Sequence, residues 1–185
     1  IKEKRYLIDK YTQGEGINFK DNQIRKWNNL FLPPELTRGI FSFLIQHTEG
    51  KLPLPKAFKN SSLSKLDHLV VNTNDADGFI KVYKDVFGIR LALDKVIEHW
   101  KSRMLFFRLN KTTIEVIEKK DDKEPNDKLW GLAWEVENIK AAHDRLVSEG
   151  VDVTPVKEGI KENTLVATIN SHTCNVPTLI IEHLK

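Results

Sequence analysis

The chain has 185 residues, 40% hydrophobic and 30% charged, enough to bury a real core and typical of a globular domain rather than a disordered tail. Its 29 Lys and Arg against 26 Asp and Glu leave a net charge of +3, mixed along the sequence, so neither nucleic acid nor a membrane is an expected partner. The single cysteine, Cys174, excludes an intrachain disulfide and suits a reducing, cytoplasmic setting, and no apolar run approaches the ~20 residues of a membrane span.

Residues 1–60 differ from the rest. The chain opens at Ile1 without a methionine, which suggests a fragment or a processed form. Ile1 to Asp9 reads as a short basic helix. Asn22 to Phe31 reads as a strand that Pro33 and Pro34 stop, and Gly39 to His47 as a stronger strand of Ile, Phe and Leu. Glu49 to Ser64, with Pro53 and Pro55, reads as a linker.

From Leu66 a βα unit occurs twice. The first copy is Leu66 to Val71, a helix from Asp75 to Phe87, and Gly88. The second is Leu129 to Trp134, a helix from Asn138 to Glu149, and Gly150. Phe79, Val82, Tyr83, Val86 and Phe87 form an amphipathic stripe, and Ile139, Ala142, His143, Leu146 and Val147 repeat it. Asp75 and Asn138 are expected N-caps, and the two glycines suit left-handed helix ends. Strands are expected at Arg90–Leu93, Arg103–Leu109 and Thr112–Glu118, then at Asp152–Val156, Thr164–Ile169 and Pro177–His183. Two β-α-β-β-β modules follow, over residues 62–120 and 128–185, and neither can bury its sheet alone. The offset between copies is 63 where His68 falls on Gly131, 62 at Gly88 and Gly150, and 67 if Glu115 is matched to Glu182.

The ordered set Leu66-Asp67-His68-Leu69-Val70-Val71, Val82 to Gly88, Thr113 to Ile117, Ala133 to Asn138 and Pro177 to Glu182 resembles the vicinal oxygen chelate superfamily, which includes glyoxalase I, methylmalonyl-CoA epimerase, extradiol dioxygenases and resistance proteins. The resemblance implies an α+β fold in which paired βαβββ modules form a curved mixed sheet around a cleft. Residues 1–60 resemble the closing strands of a further module, as in bacterial multi-module proteins of this type, giving an N-terminal partial module and linker before a two-module domain at 61–185.

The resemblance also implies a site. Family metal positions carried onto this chain are His68, Glu115, Gly131 and Glu182. Gly131 offers no donor, so His68, Glu115 and Glu182 are the expected ligands of a divalent Zn, Fe, Mn, Ni or Co ion. Glu182 or Glu115 would move the proton in a lyase, isomerase or dioxygenase reaction on a small molecule. The alternative is a protein that binds or sequesters a small molecule without metal. A homo-oligomer is compatible with the exposed edges of a half-module. Glu118 is expected to face solvent, Glu135 to meet solvent or a cap, Trp100 and Arg103 to pack, Trp130 and Trp134 to sit in the core, and His143 to be buried or half-buried. His172, Cys174, His47 and His183 carry no signal alone. No phosphate loop, GxSxG or HExxH motif is present.

Overall fold

A computed structural model describes residues 10–52, 61–98, 101–119 and 126–184. The expected helix at 1–9, residues 53–60 of the expected 49–64 linker and Trp100 lie outside them.

The N-terminal strands are β1 (Thr12–Asn18), β2 (Gln23–Phe31) and β3 (Phe43–Glu49), an antiparallel meander. β1 is the strand the sequence reading missed. Its two glycines blur the alternation, and Gly14 is needed because the Trp27 indole lies across it, where a Cβ would collide with the ring. Pro33 ends the run after β2, and Pro34 then opens the short helix α1 (Pro34–Thr37), because proline's fixed φ suits a first helical turn.

An eight-stranded sheet carries the rest. Module one is β4 (Leu63–Thr73), α2 (Ala76–Ile80, continuing as π-helical turns through Lys81–Val86), β5 (Arg90–Ile97), β6 (Ser102–Leu109) and β7 (Thr112–Glu118). Module two is β8 (Lys128–Val136), α3 (Ile139–Ser148), β9 (Lys157–Glu158), β10 (Thr164–Ile169) and β11 (Thr178–His183). The strand order is β5-β6-β7-β4-β8-β11-β10-β9. The opening strands β4 and β8 pair antiparallel at the centre, and each takes the closing strand of its own module in parallel on its outer side. A parallel partner requires a crossover, and the helices supply it.

The caps form as the sequence indicates. Asp75 accepts from the Gly78 N–H, Asn138 accepts from the Ala141 N–H, and Gly88 and Gly150 have φ of 70° and 78°. Alternate strand residues face the helices: Leu69, Val71, Leu105, Phe107, Ile114 and Val116 pack around Ala76 and Phe79, while Trp134, Val136, Ala167 and Ile180 pack around Ile139 and Ala142. Leu69 is paired with Leu132, which shares a face with Trp134, so both helices cover one side of the sheet and leave the other open.

Three expectations change. Asp152–Val156 is no strand: Pro155 has no N–H to give, and the segment makes one bridge, Val153 to Ile169, before the two-residue β9. Trp130 leaves the core because the β4–β8 register slips between Val70 and Val71, leaving it 48% exposed while Trp134 packs. Arg103 forms exposed ion pairs with Asp94 and Asp77. His143 is half-buried beside Asp144, as the stripe indicates.

The N-terminal unit joins module one through a third apolar cluster, where Leu32 and Leu36 meet Val82, and through Arg38. Among the described residues no helix is long and apolar enough to cross a membrane, which says nothing of a β-barrel.

Candidate functional site

His68 and Glu115 lie on neighbouring strands β4 and β7, on the open face. Glu115 alternates with Ile114 and Val116, which both face α2, so its carboxylate must point the other way. Its Oε2 stands 3.9 Å from His68 Nε2, with both side chains about one-fifth exposed. Buried Val70, Met104, Val166 and Ile181 give this face an apolar floor. Burial pushes the Glu115 carboxyl above its ordinary value, the His68 charge opposes that, and Asp67 adds to it. A pKa raised by folding means that the folded chain holds the proton longer, so stability falls as pH rises past the ordinary glutamate range. E115Q should therefore match the parent near pH 4 and exceed it in melting temperature at pH 7.5. Equal melting temperatures at both pH values would remove the burial argument.

Glu182 does not join this pair. Its Oε2 accepts from the Ile139 N–H at 2.7 Å, on the helix side, where it caps α3. Glu118 does the same in module one, accepting from the Ala76 N–H at 3.1 Å instead of facing solvent. The closing strands thus correspond at an offset of 64, Glu118 to Glu182, and not at 67. On that register Glu115 matches Leu179, which pairs with Ala133 just as Glu115 pairs with Val70. The four equivalent open-face positions are His68, Glu115, Gly131 and Leu179. Two donors and two apolar positions do not fit the metal that the family resemblance implies.

A second polar cluster sits at the seam between modules. The β4–β8 register slips between Leu66 and His68, inserting one extra residue in β4. A bulge of this kind re-aims a side chain. Asp67 accordingly accepts from both sides: His68 Nδ1 lies 2.8 Å from Oδ2, and His183 Nε2 lies 2.8 Å from Oδ1. His183 Nε2 is also 3.6 Å from Glu135 Oε2, to which Lys65 Nζ approaches at 2.9 Å. Burial opposes ionisation of Asp67, but the bonds from His68 and His183 hold its carboxyl well below the usual carboxylate range. Asn72, two pleats along β4 from His68 on the same face, has a buried Oδ1 with no partner among the described residues.

Sequence reasoning missed Asp67, Lys65 and His183 because strand parity puts Asp67 with Leu69 on the helix face. Only the bulge brings it round, and no glycine or other local signal marks it. Glu135, expected to meet solvent or a cap, instead lies on the open face at Gly131 parity, paired with Lys65 and close to His183.

The arrangement is that of two like modules sharing a sheet, with polar groups on the face opposite the helices. A family model described as Glyoxalase/Bleomycin resistance protein/Dioxygenase superfamily matches residues 67–168. The chain belongs to that superfamily. No curated protein matches it. Among solved structures it is similar to methylmalonyl-CoA epimerase from Mycobacterium tuberculosis, at 20% identity and a TM-score of 0.56, covering 70% of this chain and 95% of that one. A hypothetical protein from Bacillus halodurans C-125 gives 16% and 0.54 over 65% and 95%. A Streptomyces coelicolor methylmalonyl-CoA epimerase variant in complex with 2-nitronate-propionyl-CoA gives 16% and 0.54 over 67% and 100%. At these identities the likeness is one of fold.

Proposed function

We propose that this protein binds a small organic molecule on the open face of its paired modules without the family-type metal, in the manner of a sequestering protein rather than a metal-dependent lyase or dioxygenase. The observation that carries this reading is the substitution of Leu179 and Gly131 at two of the four equivalent positions, with Glu182 committed to capping α3. The same face offers what an organic ligand needs: an apolar floor with a few convergent polar atoms. Those atoms are biased toward accepting. Asn72 Oδ1 is buried with no partner among the described residues, a state that costs about 1–3 kcal/mol unless a donor arrives. Glu115 is an acceptor once ionised. An apolar amine or alcohol is the ligand class that answers both.

The test uses aryl-alkyl amines and alcohols, each matched with its N,N,N-trimethylammonium or methyl-ether counterpart, which has no N–H or O–H to donate, titrated calorimetrically with excess EDTA present. The expected result is binding of the donor-bearing compounds, weakened about tenfold in N72A, the loss of roughly one hydrogen bond. Binding that vanishes in EDTA and returns with Zn, Ni or Fe would instead restore the metal-dependent reading. Equal binding of ethers and alcohols would remove the role given to Asn72.

A further inference from the structure

We propose that Asp67, Glu135 and His183 form a divalent transition-metal site at the module seam, displaced along the strands from the family position and built from a different set of residues. The three donors come from β4, β8 and β11, adjacent strands that cross the module boundary. One ligand atom from each lies within 4.8 Å of the others, with the His183 Nε2 contacts at 2.8 and 3.6 Å. Donors bound to one zinc at about 2.0–2.1 Å sit roughly 3.0–3.5 Å apart, so the cluster needs only a small adjustment.

Two further features set the triad apart from a chance group of surface acids. First, the β4 bulge turns Asp67 onto this face at the cost of one ladder position, and the residue it re-aims is the central member of the cluster. Second, His68 Nδ1 already engages Asp67 Oδ2, leaving Oδ1 for the ion, so the carboxylate is oriented by a neighbour as metal-bound carboxylates usually are. One imidazole with two carboxylates is a borderline-hard set, suited to Zn, Ni or Co, and three protein ligands leave a position open to water. The Lys65 ammonium now sits 2.9 Å from Glu135, and since its side chain is 38% exposed it can swing into solvent when a cation takes its place. An ion held here would take its donors from Asp67, Glu135 and His183, whereas the family ion would sit among the positions of His68, Glu115, Gly131 and Leu179.

The full chain, stripped with chelator and then dialysed, is titrated with Zn by calorimetry and with Co by visible absorption. One ion per chain is expected, with d–d bands of four- or five-coordinate Co. H183A should weaken binding by more than about 100-fold, beyond what loss of an outer-shell partner produces. E135Q should also weaken it, and it keeps the Asp67–His183 bond, which guards against a folding artefact in H183A. K65M should tighten binding severalfold by removing the competing ammonium, an effect that a merely structural cluster would not give. E115Q should weaken binding far less than H183A or E135Q, since Glu115 supplies no ligand atom. Absence of stoichiometric binding at ~100 µM metal overturns the site, as does binding lost in E115Q and kept in H183A and E135Q. The ligand titrations in EDTA are independent of this outcome, so either reading can fail without the other.

Discussion

R38A is expected to lower the unfolding free energy by about 3–5 kcal/mol, the cost of leaving one member of a buried ion pair without its partner. Arg38 ends α1 in the left-handed region at φ 56° and reaches across to module one. Its Nε donates to Asp127 Oδ2 at 2.7 Å and Nη2 to Oδ1 at 3.1 Å, a two-point clamp on a carboxylate whose side chain has no solvent exposure. Nη1 donates to Asp75 Oδ2 at 2.9 Å, the same carboxylate group that caps α2. Thr73 Oγ1 donates to Asp127 Oδ1 at 2.6 Å, but a hydroxyl cannot neutralise the charge that Arg38 leaves behind. The loss should therefore exceed that of an exposed pair, ordinarily ~0–1 kcal/mol. Urea unfolding of R38A, D127N and the double variant measures it. The double variant should cost less than R38A alone, because it removes the stranded charge. A loss under about 1 kcal/mol in R38A would show that water reaches Asp127 and that the N-terminal unit is not tied to the eight-stranded sheet's domain through this pair.

That tie was not legible in the sequence. Arg38-Gly39 reads as a strand entry and Asp127 as a polar residue before one, and nothing local relates positions 89 residues apart. What was legible followed from short-range physics. The stripe through Phe79 and Val82, the caps at Asp75 and Asn138, and the glycine stops at 88 and 150 all repeat within each module, so they marked the elements and their duplication. The central sheet followed, because two half-covered modules must share a surface. Register was the weak link. Matching glutamate to glutamate by residue type gave an offset of 67 and placed Glu182 in the site, whereas the paired caps from Glu118 and Glu182 show 64. Both strands carry a glutamate at or next to their last residue for the same reason, to satisfy the first N–H groups of a helix, and that structural demand resembled a ligand motif. Asp67 failed in the opposite sense: a one-residue bulge reverses parity, and alternation alone cannot reveal it.

The asymmetry at Gly131 is held by the fold, and G131A should expose this by costing about 1–3 kcal/mol, the range for forcing extra atoms into a packed site. A Cβ at Gly131 would stand 2.8 Å from the Pro177 carbonyl oxygen and 3.2 Å from the Pro177 Cβ. The first is a backbone atom fixed by the Leu132 N–H, which donates to that same oxygen at 2.9 Å where β11 begins alongside β8. The obstacle is thus the strand pairing itself, and no rotamer change removes it. P177G relieves only the Cβ contact, so the G131A/P177G double variant should keep most of the penalty of G131A measured against P177G alone. Urea unfolding of the two single variants and the double variant decides the matter, and a G131A chain within about 0.5 kcal/mol of the parent would mean that β11 shifts freely. If the penalty stands, G131H cannot place a donor at this position without parting β8 from β11. L179E faces no such barrier on the same strand pair, because Leu179 already projects a side chain from its half-buried place on the open face. Of the two absent donors, one was replaced by another side chain and the other was built out of the backbone path, and only the first can be restored by a single substitution.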